Sequence, residues 1–401
     1  MGRSTGLRYG RRAQLSEHHY TLAMVWLIAA LVLVGFAISM PGTAIMRRLG
    51  TKLGAMDGQG VAGQVKADTR CIPNTGGVAI FAGIALPIAI GLIGVWVLSP
   101  GVVADLNASL AEHLPGIRSK TPMALVFLVC LAALHVMGVV DDRRPLAAIP
   151  KLLLILGVST AIVAASPTRL IELLHAYPGG AVLSFVVTVV WIAAITNALN
   201  FLDNMDGLCA GVAAIAGWCF LVATLISGQW FIAAILALVV GSSLGFLVFN
   251  FPPASIFMGD GGSLVLGFTL AFLTVQTTYT GTENDVVLAG GWYATLMPLI
   301  VLAVPIYDFV SVVGIRLVQG KSPFVGDLQH FSHRLVNRGL SRRAAVLVIL
   351  GITMATGIGG ISLASLEPWQ AALVGLQTLV LLGVLAAFEL RATAPNEKGR
   401  P

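Results

Sequence analysis

The chain has 401 residues, of which 57% are hydrophobic and only 10% are charged. A soluble domain carries about 25% charged residues, so the composition excludes an ordinary soluble globular protein. It predicts an all-α, polytopic integral membrane protein. The formal net charge of +6 matters less than where the charges lie along the chain, and no nucleic-acid partner is expected.

Apolar runs long enough to cross a hydrocarbon core of roughly 30 Å predict about eleven transmembrane helices. We assign them to one domain, 20–393, between a basic N-terminal tail, 1–19, and a C-terminal tail, 394–401. The first run lacks a small-residue cleavage pattern, so we interpret it as a retained helix. The last two runs carry no recognisable chemistry and are expected to serve packing. In chain order the runs are 21–40, 76–98, 122–140, 149–166, 181–199, 209–227, 230–250, 262–280, 293–315, 344–365 and 369–390.

Alternate loops between these helices fall on opposite sides of the membrane. The loops 41–75, 141–148, 200–208, 251–261 and 316–343, with the C-terminal tail, carry most of the 24 lysines and arginines. The positive-inside rule therefore makes this side cytoplasmic, although the arginines of the N-terminal tail oppose it. The same loops hold the compact polar clusters, so the active site is predicted to face the cytoplasm. These clusters contain Asp141 and Asp142, Asp203 and Asp206, Asp260, and Asp327 with His330 and His333.

Two of the clusters follow apolar helices directly. Asp141 and Asp142 are adjacent, and neighbours on a helix diverge by about 100°, so the two carboxylates cannot serve one ligand in the same way. One could meet a metal or substrate while the other works as a base; a solvated helix end is the alternative. In the second cluster, polar residues recur at every third position from Asn197 to Asp206, which an ideal helix would not keep on one face. We therefore expect the helix to end or tighten near Leu202, with Gly207 relieving the turn.

The segment from Phe257 to Ser263 places Asp260 between glycines at the start of another apolar helix. Glycines allow close approach of a bulky anion, and helix-opening amides favour negative charge. A diphosphate bridged by Mg²⁺ fits this segment, and a tight turn capped by Asp260 is the alternative. Further along, His330, His333 and Arg334 have helical spacing. They favour phosphate binding, because two imidazoles without thiolates are a poor Zn²⁺ set.

Three other residues leave alternatives open. His135, inside the third run, is interpreted as a packing residue with its polar atoms satisfied. Asp308 lies inside the ninth run and is either functional, as intramembrane acids often are, or paired with a nearby arginine such as Arg316. Lys151 either snorkels to the interface or holds a phosphate. The four cysteines are expected to be free thiols.

Taken in order and on one face, these motifs resemble the polyprenyl-phosphate N-acetylhexosamine-1-phosphate transferases. The resemblance covers roughly residues 20–345, and the element from Pro73 to Gly77 is similar to an early motif of the family. It implies transfer of a sugar-1-phosphate from a UDP-sugar to a membrane polyprenyl phosphate, with release of UMP, in the cytoplasmic (inner) membrane of a bacterium. A homodimer is an open alternative to a monomer.

The resemblance also implies roles for single residues. Asp260 and Asn200 would bind Mg²⁺, with Mn²⁺ as an alternative. Asp141 and Asp142 would address the lipid phosphate, Asp141 as the base. The residues expected to bind uridine, phosphates or sugar are Asp206, Asn250 and Phe257 for uridine, and Lys151, His330, His333 and Arg334 for phosphates or sugar. Asp203 and the two histidines are counted as catalytic, and Asn197 as substrate-binding.

Two departures bear on the branch of the family. The last loop reads His330-Phe-Ser-His333 where phospho-MurNAc-pentapeptide transferases usually have three contiguous histidines, and Asp203-Asn-Met-Asp206 replaces their usual Asp-Gly-x-Asp. Both favour the GlcNAc-1-phosphate branch, which feeds teichoic acid, O-antigen or other envelope glycans. The pentapeptide transferase remains an alternative. An intramembrane prenyltransferase is a weaker one, because it has no use for the histidine loop, and a secondary transporter would place more charges near the midplane.

Overall fold

The computed structural model describes residues 3–56, 71–106, 108–171, 174–175, 177–277, 296–322 and 329–390. These ranges contain fourteen α-helices and two isolated β-bridges but no strand. The helices are α1 Arg3–Lys52, α2 Gly77–Val97, α3 Pro100–Leu106, α4 Ala108–Arg143, α5 Ala148–Ala165, α6 Gly180–Leu202, α7 Leu208–Ile226, α8 Trp230–Asn250, α9 Asp260–Thr277, α10 Met297–Val301, α11 Ala303–Val318, α12 Phe331–Asn337, α13 Arg342–Ser362 and α14 Pro368–Leu390.

Nine of the helices in the described ranges are long and apolar enough to cross a membrane. This confirms the predicted all-α, multi-pass membrane fold. The predicted number of about eleven spans is not confirmed. The run 262–280 corresponds to α9, which is not among the nine, and the run 293–315 corresponds to the two helices α10 and α11. Both runs extend into 278–295, which lies outside the described residues. The nine spans are α1, α2, α4, α5, α6, α7, α8, α13 and α14.

The break between α10 and α11 falls at Leu302 and has a local cause. Pro305 has no amide hydrogen, so it cannot donate to the carbonyl of Val301 one turn earlier, and its ring crowds that carbonyl. The chain continues after one non-helical residue, with Leu302 N donating to Pro298 O and Ile306 N donating to Leu302 O, both at 3.0 Å. Hydrophobic pattern alone did not predict this interruption.

The predicted start of the third run at residue 122 is wrong, because α4 begins at Ala108 and continues through Pro115 and Pro122. Charged residues near these two prolines make residues 108–121 resemble a loop in the sequence. Arg118 instead donates from Nε and Nη2 to Val95 O at 3.1 and 2.9 Å, and its guanidinium lies over the Trp96 ring. Arg118 of α4 therefore caps the C-terminal end of α2. Because its charge has this partner, Arg118 can lie within α4.

α9 is the central helix of the bundle. Every residue from Gly261 to Thr277 is buried, and α9 packs against α2, α4, α6, α7 and α8. α1 packs along α8 and α2, and α13 packs on α7. The first turn of α9, which begins with Asp260, therefore lies where several helices meet.

Glycines allow this convergence. A Cβ on Gly138 of α4 would lie 2.3 Å from Gly261 N, and a Cβ on Gly77 of α2 would lie 2.4 Å from Gly262 N. The sequence suggested that the glycines beside Asp260 make room for an anion. The structure shows a different use for Gly261 and Gly262, because backbone of α2 and α4 already packs against them.

We predict that Gly138→Ala destabilises the protein, because the added methyl overpacks the contact between α4 and α9 at a cost of about 1–3 kcal/mol. The measurement is the thermal unfolding midpoint of the purified protein in detergent. Gly116→Ala is the matched control in the same helix, since a Cβ at Gly116 meets nothing within 4 Å. Equal midpoints for the two variants would contradict the close packing described here.

Candidate active site

The centre of the site is an ammonium group between two carboxylates. Lys151 Nζ of α5 donates to Asp141 Oδ2 at the end of α4, at 2.6 Å, and to Asp260 Oδ2 at the start of α9, at 2.9 Å. The side chains of Lys151, Asp141 and Asp260 are 26%, 13% and 24% exposed, so the cluster is reachable from outside the bundle. The structure thus pairs Lys151 with two carboxylates, and its predicted phosphate contact remains a prediction.

Asn200 joins this cluster from the last turn of α6. Its Nδ2 donates to Asp260 Oδ1 and to Ser263 Oγ, both at 2.9 Å. α6 ends at Leu202, and Gly207 adopts φ +73° before α7, which confirms the expected helix end and turn.

Asp142 faces a different partner from its neighbour, as the helix geometry predicted. Its Oδ1 accepts from Asp260 N at 3.0 Å and its Oδ2 accepts from Gly261 N at 3.4 Å. Asn74 Nδ2 also donates to Asp142 Oδ1, at 3.1 Å. A carboxylate on helix-opening amides stabilises that helix end. In this arrangement Asp142 holds the first turn of α9, and with it the backbone of Asp260.

The interpretation of His135 as a packing residue is confirmed. Its Nδ1 lies 2.7 Å from Gly261 O, and its ring stacks on Phe81 with the centroids 4.4 Å apart. His135 thereby joins α2 and α4 to the first turn of α9.

Three predicted substrate-binding residues have polar contacts within the protein. Asp206 Oδ2 accepts from Ala254 N, and Asn250 Oδ1 accepts from Gly207 N, each at 2.9 Å. Asn250 Nδ2 also donates to Ile256 O. Both residues are buried and fasten the loop after α6 to the loop after α8. Asn197 Nδ2 donates to Ala193 O within α6.

Phe257 and Asp203 lie on the loops that these contacts position. Phe257 is half-buried, and its backbone pairs with the segment before α2: Phe257 N donates to Pro73 O at 2.8 Å and Gly76 N donates to Phe257 O at 2.9 Å. Asp203 is half-buried and is the C-cap residue of α6. The predicted roles of both residues remain predictions.

The histidine loop forms the short helix α12, with His330 as its N-cap residue. His330 Nδ1 lies 2.9 Å from Asp308 Oδ2, and its ring meets Phe201 edge-on with centroids 5.6 Å apart. Ser332 Oγ donates to Asn204 Oδ1 at 2.5 Å. These contacts bring α12 to the end of α6, close in sequence to Asn200. The nearby Asp327 lies outside the described residues.

His333 is one turn along α12 from His330, with the two ring centroids 6.5 Å apart. Burial lowers the pKa of His333 below its ordinary value, and the charges of His330 and Arg342 lower it further. The lowered pKa favours the neutral imidazole, which can accept a hydrogen bond on one nitrogen and donate one from the other.

Arg334 contacts a residue that the sequence analysis did not select. Its Nε donates to Glu389 Oε2 at 2.7 Å and its Nη2 donates to Ser311 Oγ at 2.8 Å. Tyr307 Oη donates to the same Glu389 oxygen, at 3.2 Å. The last two helices were expected to serve packing, and the structure adds a polar contact from one of them: Glu389, at the end of α14, pairs with the histidine loop. The predicted phosphate contact of Arg334 remains a prediction.

Asn74, Ser263 and Glu389 are the site neighbours that sequence reasoning missed. Asn74 and Ser263 lie inside segments already noted, beside Pro73 and Asp260, so their position was a usable signal. Glu389 is an acid in the last turn of an apolar helix, and intramembrane acids are functional candidates in general. Its partner could not be deduced, because 55 residues separate it from Arg334.

The donor set of the cluster fits the predicted cation. Among the described residues, no group of three or more His, Cys, Asp or Glu side chains forms a metal site, but Mg²⁺ takes few protein oxygens and keeps water and phosphate for the rest. Two carboxylates already meet one cation here, the Lys151 ammonium. Asn200 orients Asp260 through Nδ2, so a metal contact by Asn200 would use its amide oxygen.

Comparison with known proteins finds relatives over nearly the whole chain. The profile described as Glycosyl transferase family 4 matches residues 124–278, the segment that contains Asp141, Lys151, Asn200 and Asp260. A probable undecaprenyl-phosphate N-acetylglucosaminyl 1-phosphate transferase of Bacillus subtilis (strain 168) is 33% identical over 386 residues, covering 92% of this chain and 94% of that protein.

Two further relatives are more distant. The decaprenyl-phosphate N-acetylglucosaminephosphotransferase of Mycobacterium tuberculosis (strain ATCC 25618 / H37Rv) is 30% identical, over 92% of this chain and 89% of its own. The undecaprenyl-phosphate alpha-N-acetylglucosaminyl 1-phosphate transferase of Escherichia coli (strain K12) is 24% identical, over 78% of each chain. Fold, site and relatives define a multi-pass membrane transferase. The chain belongs to the polyprenyl-phosphate N-acetylhexosamine-1-phosphate transferase family, as the resemblance indicated.

We predict that Arg334 and Glu389 are energetically coupled. Arg334→Gln and Glu389→Gln each leave one largely buried charge without its partner, so each should lower the unfolding midpoint. The double variant should lose less than the sum of the two, with a coupling of about 0.5–3 kcal/mol. Thermal unfolding in detergent measures all three. Glu367→Gln, an exposed acid near the other end of α14, is the control, and strictly additive effects would contradict the pairing.

Proposed function

We propose that this protein transfers N-acetylglucosamine-1-phosphate from UDP-GlcNAc to undecaprenyl phosphate, releasing UMP. The observation that carries the proposal is the meeting of Asp141, Lys151 and Asp260 at helix ends. The support from relatives is that they carry GlcNAc-1-phosphate transferase names over nearly the whole chain. The departures in the histidine loop and the Asp203–Asp206 segment favour this branch over the pentapeptide transferase.

The reaction joins two anions, so charge is the main obstacle. An oxygen of the lipid phosphate attacks the β-phosphorus of the UDP-sugar. A new phosphorus–oxygen bond forms, and the bond from the β-phosphorus to the bridging oxygen breaks, so UMP leaves with that oxygen and its electron pair. Catalysis of this kind depends on positioning and on neutralising charge. The proposed site offers Lys151 for the second purpose.

Asp141 is proposed to accept the remaining proton of the lipid phosphate. Its distance of 2.6 Å from Lys151 Nζ would let the same lysine meet that phosphate when it arrives. Asp142 would act through α9, because its carboxylate holds the backbone amides of Asp260 and Gly261. Asp203 is proposed as a further catalytic residue beside this centre.

The donor is proposed to lie between the loops after α6 and α8. Phe257 would stack on uracil, and Asp206 and Asn250 would hold the uridine or shape the loops that do. Asn197 would contact substrate from one turn before Asn200. His330, His333 and Arg334 would meet the phosphates or the sugar from α12.

Mg²⁺, with Mn²⁺ as an alternative, would be held by Asp260 and Asn200 and would supply charge neutralisation at the diphosphate. We place the protein in the cytoplasmic membrane of a bacterium with this site on the cytoplasmic side, because the loops on that side carry most of the positive charge. A homodimer remains compatible with the proposal.

We predict UMP release by the purified protein in detergent with undecaprenyl phosphate, Mg²⁺ and UDP-GlcNAc. UDP-GalNAc and UDP-MurNAc-pentapeptide, tested in parallel, should give little UMP. Asp260→Asn should lose turnover while the protein still folds, as shown by a cooperative unfolding transition. Its matched control is Asp105→Asn, an exposed aspartate in α3 beside the far end of α4.

The acceptor decides the class of reaction. UMP that appears equally without undecaprenyl phosphate would indicate hydrolysis and contradict the transferase. UMP with the pentapeptide donor instead would keep the reaction and change the branch. Full activity of Asp260→Asn would overturn the assignment of Asp260.

A further inference from the structure

The structure contains a second buried carboxylate centre, away from the one that meets the lysine. Asp308 of α11 has no exposed surface, and both of its oxygens are used. Oδ2 lies 2.9 Å from His330 Nδ1, and Oδ1 accepts from Phe331 N at 2.6 Å. One acid thus holds both the imidazole of His330 and the first amide of α12.

The chemistry of the pair determines where one proton lies. Where Asp308 accepts on both oxygens, as an ionised carboxylate must, the hydrogen between the two groups belongs to His330 Nδ1. The other ring nitrogen, Nε2, then carries a lone pair in the neutral ring or a hydrogen in the cation. A histidine whose orientation and tautomer are set by a partner on the far side of the ring is a common arrangement in active sites.

The position of the ring connects the pair to the transferase site. The His330 ring lies perpendicular to the Phe201 ring, with the centroids 5.6 Å apart. Phe201 follows Asn200, which donates to Asp260. Ser332 of α12 bonds Asn204 in the loop beyond. The His330 ring therefore lies beside the helix end that carries Asn200.

We propose that Asp308 is a positioning residue that fixes His330 with its proton on Nδ1, leaving Nε2 for the phosphate or sugar. The inference rests on the proposed function for what Nε2 meets, but not for the proton itself. Of the two roles that the sequence left open for Asp308, the proposal takes the functional one.

The variant Asp308→Asn separates position from charge. The amide oxygen can still accept from Phe331 N. The amide NH₂ faces Nδ1 and donates to it, so Nδ1 becomes the acceptor and the ring proton moves to Nε2. We expect kcat to fall about 10- to 100-fold, with little change in the donor KM. The unfolding midpoint serves as the check on folding.

A double-mutant cycle with His330→Gln tests whether Asp308 acts through the histidine. If it does, Asp308→Asn has no further effect on kcat once His330 is replaced. The same loss of kcat in both backgrounds would mean a structural role and overturn the proposal. His113→Gln, in α4 at the end far from Asp141, is the control for replacing a histidine.

The proton can be observed without any activity. The protein has seven histidines, and ¹⁵N-histidine NMR of the wild type gives the His330 signals by their loss in His330→Gln. A proton on Nδ1 supports the proposal, whether or not Nε2 also carries one, and an unprotonated Nδ1 overturns it. Because this result does not depend on UMP release, it remains decisive if the proposed function fails.

Discussion

Like-charge repulsion is the constraint on which the arrangement of this site depends. Asp141 and Asp260 lie close enough to share one hydrogen-bond donor, and carboxylates at such separations cannot both stay ionised without a nearby cation. Lys151 supplies that cation, from a third helix. α4, α5 and α9 are therefore joined at one point by a single ammonium, and a divalent cation or a phosphate arriving there would enter an existing balance of charge.

Contacts around this point fix the position of the first turn of α9. Gly77 and Gly138 let α2 and α4 touch its first turn, and Asp142 and His135 bond the backbone of that turn. Packing and hydrogen bonding thus act on the same few residues. The histidine loop is held in a comparable way by acids of other helices, Asp308 and Glu389, so its side chains are placed by α11 and α14 rather than by the loop alone.

Much of this could be predicted from the sequence, for physical reasons. Apolar length predicted the multi-pass helical fold, and the helix end near Leu202 followed from the spacing of polar residues. The assignment of loops to one side predicted that Asp141, Asn200 and Asp260 share a region. What remained out of reach depended on contacts between distant segments. The break at Leu302 is local, but it depends on the backbone hydrogen bond that Pro305 cannot donate. The partner of Arg334 depends on how α14 packs against the histidine loop. The sequence correctly indicated that the glycines beside Asp260 allow close approach. The group that approaches Gly261 and Gly262 is the backbone of α2 and α4, and not an anion.

The most direct test of this account is the stability of Lys151→Met in metal-free detergent solution, with and without Asp141→Asn, measured by thermal unfolding. The account predicts that Lys151→Met lowers the midpoint because two carboxylates then face each other, and that adding Asp141→Asn restores part of the loss. It also predicts that Mg²⁺ raises the midpoint of Lys151→Met more than that of the wild type. Additive effects of the two substitutions, with no added response to Mg²⁺, would contradict it.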